Sequence, residues 1–402
     1  MKNNRYPLLS YLILFIAQSS CTIYNLNIDA GEYDREETPV YFEWSGDRRY
    51  NVLIDTADNT KIRFTKVNIF DNRYQFLLEQ PLPKGTIRSY RFGTAKASHS
   101  DFNAFDPKIK SDTALALQYN NRLQRPTFDA PAYYARSGFI HPLCTPSGKV
   151  LTDNFPIGHT HQNGIFHAWV NTIFRKQKVD FWNRQKETGK VQSKNENVPL
   201  GLESVTSKMQ SLQDRLLHIA VDREGKEVTV LEEWQKVNFY EQAKGYLFDI
   251  QSLQRNITND TLFVHQYHYG GMAFRASKFW NVADSVHFTN DMQIITSEGK
   301  DRLASNHTRP NWVCAYGKIE GAWAGFVVFN HPDNFRSPQF IRVHPSMPYF
   351  CFTPTVEEGF KIAPQGQYYA QYRIYTFDGQ PDLEQIEYLW QDYKRIVETD
   401  IK

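Results

Sequence analysis

Residues 216–257, LLHIAVDREGKEVTVLEEWQKVNFYEQAKGYLFDIQSLQRNI, decide the fold. Three long segments stand out in it: LLHIAVD, EVTVLEEWQKV and YLFDIQSLQRNI. Each alternates with period two, which sends successive side chains to opposite faces and marks a strand. The same pattern recurs downstream in TLFVHQYHYGG, AGFVVFN, YFCFTP and QYYAQYRIYTF. Long strands at regular spacing predict an all-β protein, a large antiparallel β-sandwich. Upstream, residues 22–97 hold shorter alternating segments (TIYNLNI, VYFEW, YNVLI, IRFTKV, YQFLLE, IRSYRF) separated by turns such as Pro83-Lys84-Gly85. They read as a small N-terminal β unit over 22–110, with the main sandwich over 111–402. One helix is expected at 381–399. There Leu383, Ile386, Leu389, Trp390, Tyr393 and Ile396 follow three-four spacing, and Asp382 is placed to cap the first turn.

Composition bounds the function. Hydrophobic residues make up 41% and charged residues 22%, so the chain can form a globular core. Lys plus Arg number 46 against 44 Asp plus Glu, a balance that leaves no electrostatic footprint for nucleic acid. Aromatics reach 15%, and exposed rings of that kind suit stacking on the apolar faces of sugars. The N-terminus reads as a targeting segment over 1–21. Lys2 and Arg5 precede an apolar run at 8–17, which is too short to span a bilayer. Ser19, Ser20 and Cys21 follow. Lipidation at Cys21 and ordinary cleavage near Ser19 are the two readings; either makes the protein exported, to the periplasm or to the cell surface, with membrane contact only through a lipid anchor. The other cysteines, Cys144, Cys314 and Cys351, form no CxxC pair, so a structural zinc site is not indicated, and buried thiols are expected.

The candidate site centres on residues 138–191. In 158–164, GHTHQNG, two glycines bracket His159 and His161, which would point the same way from an extended backbone. Imidazoles titrate near neutrality and serve as acid–base groups, and two together can also bind a divalent metal, although no carboxylate stands at a diagnostic spacing. His141, before Pro142, and Trp169 are drawn into the same wall. Asp180, Trp182 and Asn183 (DFWN) read as a stacking ring flanked by hydroxyl-binding groups. In residues 261–275, Tyr267 and Tyr269 share a face, and His268 falls on the other unless Gly270-Gly271 makes a bulge. A phenol beside a guanidinium can have a lowered pKa, and Arg275 could fork a substrate carboxylate or sulfate. Glu233 is an acid–base candidate if it faces the cleft. His331 and Arg336 lie in a Pro- and Asn-rich loop that could rim it.

Several blocks in this order resemble the PmoA-like family of unknown function: GFIHPLCTPSG, FPIGHTHQNGIFHAW, VDFWN, TGKV, YGGMAFRAS, WVCAYGKIEG, GFVVFNHPDNFRSP and YRIYTFDG, over 132–379. Gly158 departs from the Asp usual there, and Gln162-Asn163 from a His-containing pair. The resemblance implies kinship with galactose-mutarotase-type supersandwich proteins and a sugar substrate. The family's oxygenase label belongs to polytopic membrane proteins, and this chain has no such spans, so oxygenase chemistry is set aside.

These readings favour a carbon–oxygen lyase, a dehydratase or β-eliminating enzyme, acting on oligosaccharides without a cofactor. His159 or His161 would be one acid–base group, Tyr269 or His268 the other, and Arg275 the charge stabiliser. A hydrolase or mutarotase-like epimerase and a non-catalytic glycan-binding lipoprotein are the alternatives.

Overall fold

The computed structural model describes residues 24–95 except 48 and 68–71, residues 116–195 except 124, 126 and 128, and residues 202–402 except 207 and 396. The targeting segment with Cys21 lies outside the described residues. The fold is an all-β sandwich with one C-terminal helix. Its backbone is a nine-stranded antiparallel sheet centred on Met209–Val221, Glu227–Gln242, Gly245–Asn256 and Gln367–Asp378. The two middle strands pair without a break from Leu231 opposite Asn256 to Gln242 opposite Gly245. Such long registers arise because one face is packed throughout, and a one-residue slip would turn every apolar side chain outward.

A six-stranded sheet covers that inner face. It runs from Ile341–Val343 through Tyr349–Phe352, Gly271–Arg275 and Ile165–Ala168 to Phe139–Leu143 and Leu117–Asn120. Between the sheets lies the main core, with Leu231, Val237, Phe248 and Ile374 from the larger sheet against Ile165, Met272, Phe274, Phe350 and Phe352 from the smaller. The far face of the larger sheet packs Tyr240, Leu247, Val327 and Phe329 against Ile386, Leu389, Trp390 and Tyr393 of the helix. Cys144, Cys314 and Cys351 are buried free thiols.

The helix spans Leu383–Lys394, shorter than its periodic sequence, and the chain then forms a strand, Glu398–Ile401. That strand pairs with Asn25–Asp29, so the last residues complete a sheet of the N-terminal unit. Strand pairing with a neighbour already in place overrides the three-four pattern beyond Lys394. Asp382 caps as expected: its Oδ1 accepts from the Gln385 amide at 3.0 Å. Asp382→Ala should cost about 0.5–2 kcal/mol, read as a lower melting temperature with activity unchanged. A buried charge network ties these parts together. Arg373 donates to Asp249 at 2.7 and 2.9 Å, Tyr41 of the N-terminal unit donates to the same carboxylate at 2.9 Å, and Arg35 pairs with helix residue Asp392 at 3.0 Å.

Candidate active site

The site lies on the outer face of the six-stranded sheet. Alternation explains why: Phe274 and Phe350 enter the core, so their neighbours Arg275 and Tyr349, which are opposite one another in register, turn outward. Loops close over this face and leave a cavity of about 190 Å³. Its walls are His159, His161, Gln162, Val170, Trp182, Asn183, Tyr267, Tyr269 and Tyr349.

The loop 156–163 supplies the imidazoles. It is a turn and not an extended run, closed by the His159 amide donating to Pro156 O and the Gln162 amide to His159 O, both at 3.1 Å. Gly158 takes a left-handed φ of 86°, and a Cβ there would come within 2.9 Å of Met347 Cε. That fits the departure from Asp at this position. The turn brings the His159 and His161 rings to 5.7 Å, and His344 adds a third ring 5.4 Å from His159. Even so, no group of three His, Cys, Asp or Glu side chains converges as a metal set among the described residues.

The facing wall comes from 265–270. The expected single strand breaks into Leu262–Val264 and Gly271–Arg275. Gly270 and Gly271 have φ of 134° and 87°, and a Cβ on Gly271 would lie 2.4 Å from Phe352 O. The interruption releases Tyr267 and Tyr269 into the cavity. The Tyr267 amide donates to Thr355 O at 2.9 Å and fixes the segment. Arg342, not Arg275, is the guanidinium over Tyr269, 5.4 Å from its ring. Burial outweighs that charge and raises the Tyr269 pKa, so the phenol stays protonated at neutral pH. His268 stacks between the two tyrosines but does not line the cavity.

Arg275 is fully buried beneath the imidazole loop. Its Nη1 donates to Gln162 Oε1 at 3.1 Å, while Nε and Nη2 have no protein partner. Burial lowers its pKa to about 10. Burial chiefly, with Arg275 contributing, lowers the pKa of His159; burial and the charge of His159 lower those of His161 and His344 to about 4. All three imidazoles are therefore neutral at pH 7.

The other sequence candidates divide between the core, a supporting turn and the cavity wall. Trp169 is a core residue whose Nε1 donates to Gln254 at 2.8 Å, not a stacking platform. Asp180 is fully buried. It accepts from the amides of Trp182 and Asn183 at 3.0 and 2.8 Å and from Lys186 Nζ at 2.9 Å, so it shapes the turn presenting Trp182 and does not reach a ligand. Trp182 itself is only 2% exposed and offers an edge, held by Phe166 at 4.4 Å between centroids. Asn183 lines the cavity, though its amide is spent on Asp180 at 3.0 Å. His141 bonds Thr152 Oγ1 at 3.0 Å and does not line the cavity.

Glu233 faces the core between the sheets, where it meets His218 Nε2 and Ser252 Oγ, each at 2.7 Å. Alternation with Leu231 and Val237 put it there. His331 tucks against Tyr393 of the helix, 4.9 Å between centroids. Arg336 braces a loop by donating to Pro354 O, Glu358 O and Gly359 O.

The sequence reading missed His344, Tyr349 and Arg342. Their signal was present in IRVHPSMPYF: Ile341 and Val343 are core residues, so Arg342 and His344 must point to the other face.

Buried neutral histidines also set a stability limit. His141, His161, His167, His331 and His344 all have pKa values lowered to about 4. The unfolded chain binds these protons near pH 6.5 and the folded chain only near 4. Stability is thus full above about pH 6.5 and falls as pH drops from there toward 4. His167, 2% exposed, contributes on the order of 3 kcal/mol of that loss. Melting temperatures across this window should fall steadily with acid; a flat profile would show these imidazoles to be charged or solvated.

The fold and its cavity define a large β-sandwich protein with a histidine- and tyrosine-walled pocket. The chain belongs to DUF6807, a family of unknown function, whose profile matches residues 107–391. Among solved structures it is similar to a protein in the glycosyl hydrolase family 38 from Enterococcus faecalis, at 10% identity and a TM-score of 0.43, over 94% of this chain and 47% of that one. This chain thus spans about half the length of that protein. It is also similar to a galactose mutarotase related enzyme from Lactobacillus acidophilus, at 10% identity and a TM-score of 0.27, over 54% of this chain and 83% of that one. A galactose mutarotase-like protein from Lactobacillus casei matches at 7% identity and a TM-score of 0.26, over 53% and 82%. No curated protein matches the chain.

Proposed function

We propose that the protein is a carbohydrate-active carbon–oxygen lyase that eliminates water or an alcohol from an oligosaccharide in this cavity. The observation that carries the reading is the pairing of neutral imidazoles with protonated phenols across one small cavity. Elimination needs a base for the C–H bond α to a carbonyl or carboxylate, and an acid for the departing oxygen. His159 is the base assigned here, because it lines the cavity and its ring makes no side-chain hydrogen bond to the protein among the described residues. Tyr269 holds the proton that the leaving oxygen takes. The C–H and C–O bonds break, a carbon–carbon double bond forms, and no oxidant or cofactor enters. Arg275, with its Nε and Nη2 nitrogens unpartnered, offers positive charge to the enolate as it develops, acting through Gln162 and the imidazole loop.

A volume near 190 Å³ is below the ~300–1,000 Å³ of drug-sized sites and suits one sugar ring. Half-buried Tyr267 and Tyr269 offer it ring surface, and Trp182 adds an edge. The positive surroundings of Arg275 and Arg342 favour a carboxylated or sulfated ring. Hydrolysis ordinarily uses two facing carboxylates, and mutarotation a histidine with a carboxylate. No carboxylate is among the described residues lining this cavity, which favours elimination. The resemblance of the motif blocks to PmoA-like proteins also supports a sugar substrate. The basic and apolar segment ending at Cys21 supports work outside the cytoplasm, and no described helix is long and apolar enough to cross a membrane.

The test is incubation with acidic, sulfated and neutral oligosaccharides, followed by ultraviolet absorbance and product mass. Loss of one water with chain length kept, or cleavage with a new double bond, is the expected result. Gain of water would make the protein a hydrolase, and retarded migration without any mass change a binding protein.

A further inference from the structure

A second cavity, about 210 Å³, is lined by Arg309, Arg336, Phe340, Pro354, Glu357 and Glu358. It and the first cavity lie at the two ends of strand Ile341–Val343. Ile341 and Val343 are core residues, whereas Phe340, Arg342 and His344 are half-buried and lie on the outer face. His344 stands against His159 at the first cavity, Arg342 lies over Tyr269, and Phe340 lines the second cavity. From His344 to Phe340 is four residues along strand Ile341–Val343 and its two flanks, about 13 Å. The two cavities are therefore the ends of one outward face, and a single sugar ring cannot bridge them.

The second cavity has a built floor. The Arg309 guanidinium stacks over Phe340 at 5.1 Å and is held by Pro338 O and Arg336 O at 2.7 and 3.0 Å. Arg336 adopts a left-handed φ of 60° and is fixed by three carbonyls and by Glu358 at 2.6 Å. Backbone strain of this kind persists only where the surroundings over-determine it. Glu357, exposed on the rim, has no ion pair among the described residues. A half-buried aromatic ring capped on one face by a guanidinium, beside a carboxylate with no ion pair among the described residues, offers a sugar an apolar ring edge and a charged partner for its hydroxyls.

We propose that this second cavity is a further saccharide subsite, joined to the first by the outer face of strand Ile341–Val343. The substrate is accordingly a chain of several sugar units, and Phe340 and Glu357 set its preferred length. The proposal rests on the sugar reading of the first cavity. It is tested by measuring kcat/KM and calorimetric binding for a size-graded series of uronic-acid and sulfated oligosaccharides, from disaccharide to tetrasaccharide, with the full chain and with Phe340→Ala and Glu357→Gln. For the unaltered protein, kcat/KM should rise at least about tenfold from disaccharide to tetrasaccharide. Phe340→Ala should remove that gain and Glu357→Gln, which leaves the floor intact, should reduce it several-fold. A flat length series with turnover intact, or a gain that survives both substitutions, overturns the subsite and leaves the first-cavity reading standing. Failure of the unaltered protein to bind or convert any chain removes both.

Discussion

Replacing His159 by alanine should lower kcat by about 10²–10⁴-fold, with the melting temperature little changed. The size follows from the role of general base, and the unchanged stability from its position. The ring lies at the cavity wall, half-buried, and makes no side-chain hydrogen bond to the protein that its loss would orphan. The loop keeps its shape through backbone bonds from Pro156 to Gln162. His161→Ala should act in the same direction, and Tyr269→Phe should remove the acid while keeping the ring. If His159→Ala and His161→Ala both retained full activity, the chemistry would lie elsewhere. The pH dependence has a definite sign. His161 and His344 become charged only near pH 4, so turnover should hold through neutral pH and fall as acid titrates the loop. At the alkaline end the raised Tyr269 pKa extends the plateau.

Glu233→Ala should destabilise the protein by about 3–5 kcal/mol and leave kcat per folded molecule unchanged. Glu233 and His218 are both fully buried, and their contact at 2.7 Å is completed by Ser252 Oγ. Desolvation alone would raise the Glu233 pKa, but the His218 hydrogen bond and charge prevail and lower it. Removing the carboxylate leaves His218 buried without its partner in the middle of the larger sheet. Glu233→Gln keeps a hydrogen-bonding group there and should cost less. Chemical denaturation reads the first effect, and turnover normalised to folded protein reads the second. A loss of turnover with stability intact would instead make Glu233 an acid–base group.

Much of this was legible in the sequence, and the remainder was not for a definite reason. Period-two alternation in 216–257 identifies strands whether or not their partners are known, so the sandwich could be read directly. The glycine-bracketed histidines and the tyrosines before Gly270 were also readable, because turn residues and titratable groups cluster where chains fold over a sheet. What alternation does not tell is which face of which sheet turns inward. Glu233 is an acid–base carboxylate and Trp169 an indole like Trp182 of the cavity, yet their faces pack between the sheets. Asp180 has the chemistry of a ligand-binding carboxylate but spends it on two amides and a lysine of its own turn. Conversely Tyr349 sits in the apolar strand segment YFCFTP, and only the register, which places it opposite Arg275, shows that it faces the site. The helix end was misread because Glu398–Ile401 answers to a strand at the other end of the chain.

The central claim is that neutral imidazoles and a protonated tyrosine meet a sugar on the outer face of the smaller sheet. The most direct measurement is side-chain nitrogen NMR of the histidines at pH 7 while an acidic oligosaccharide is titrated in. The resonances of His159, His161 and His344 should start as neutral imidazole and shift together with saturation, while those of His167, His218 and His331 stay in place. Saturable binding that leaves the first three unmoved, or imidazolium signals for them in the free protein, would contradict the account.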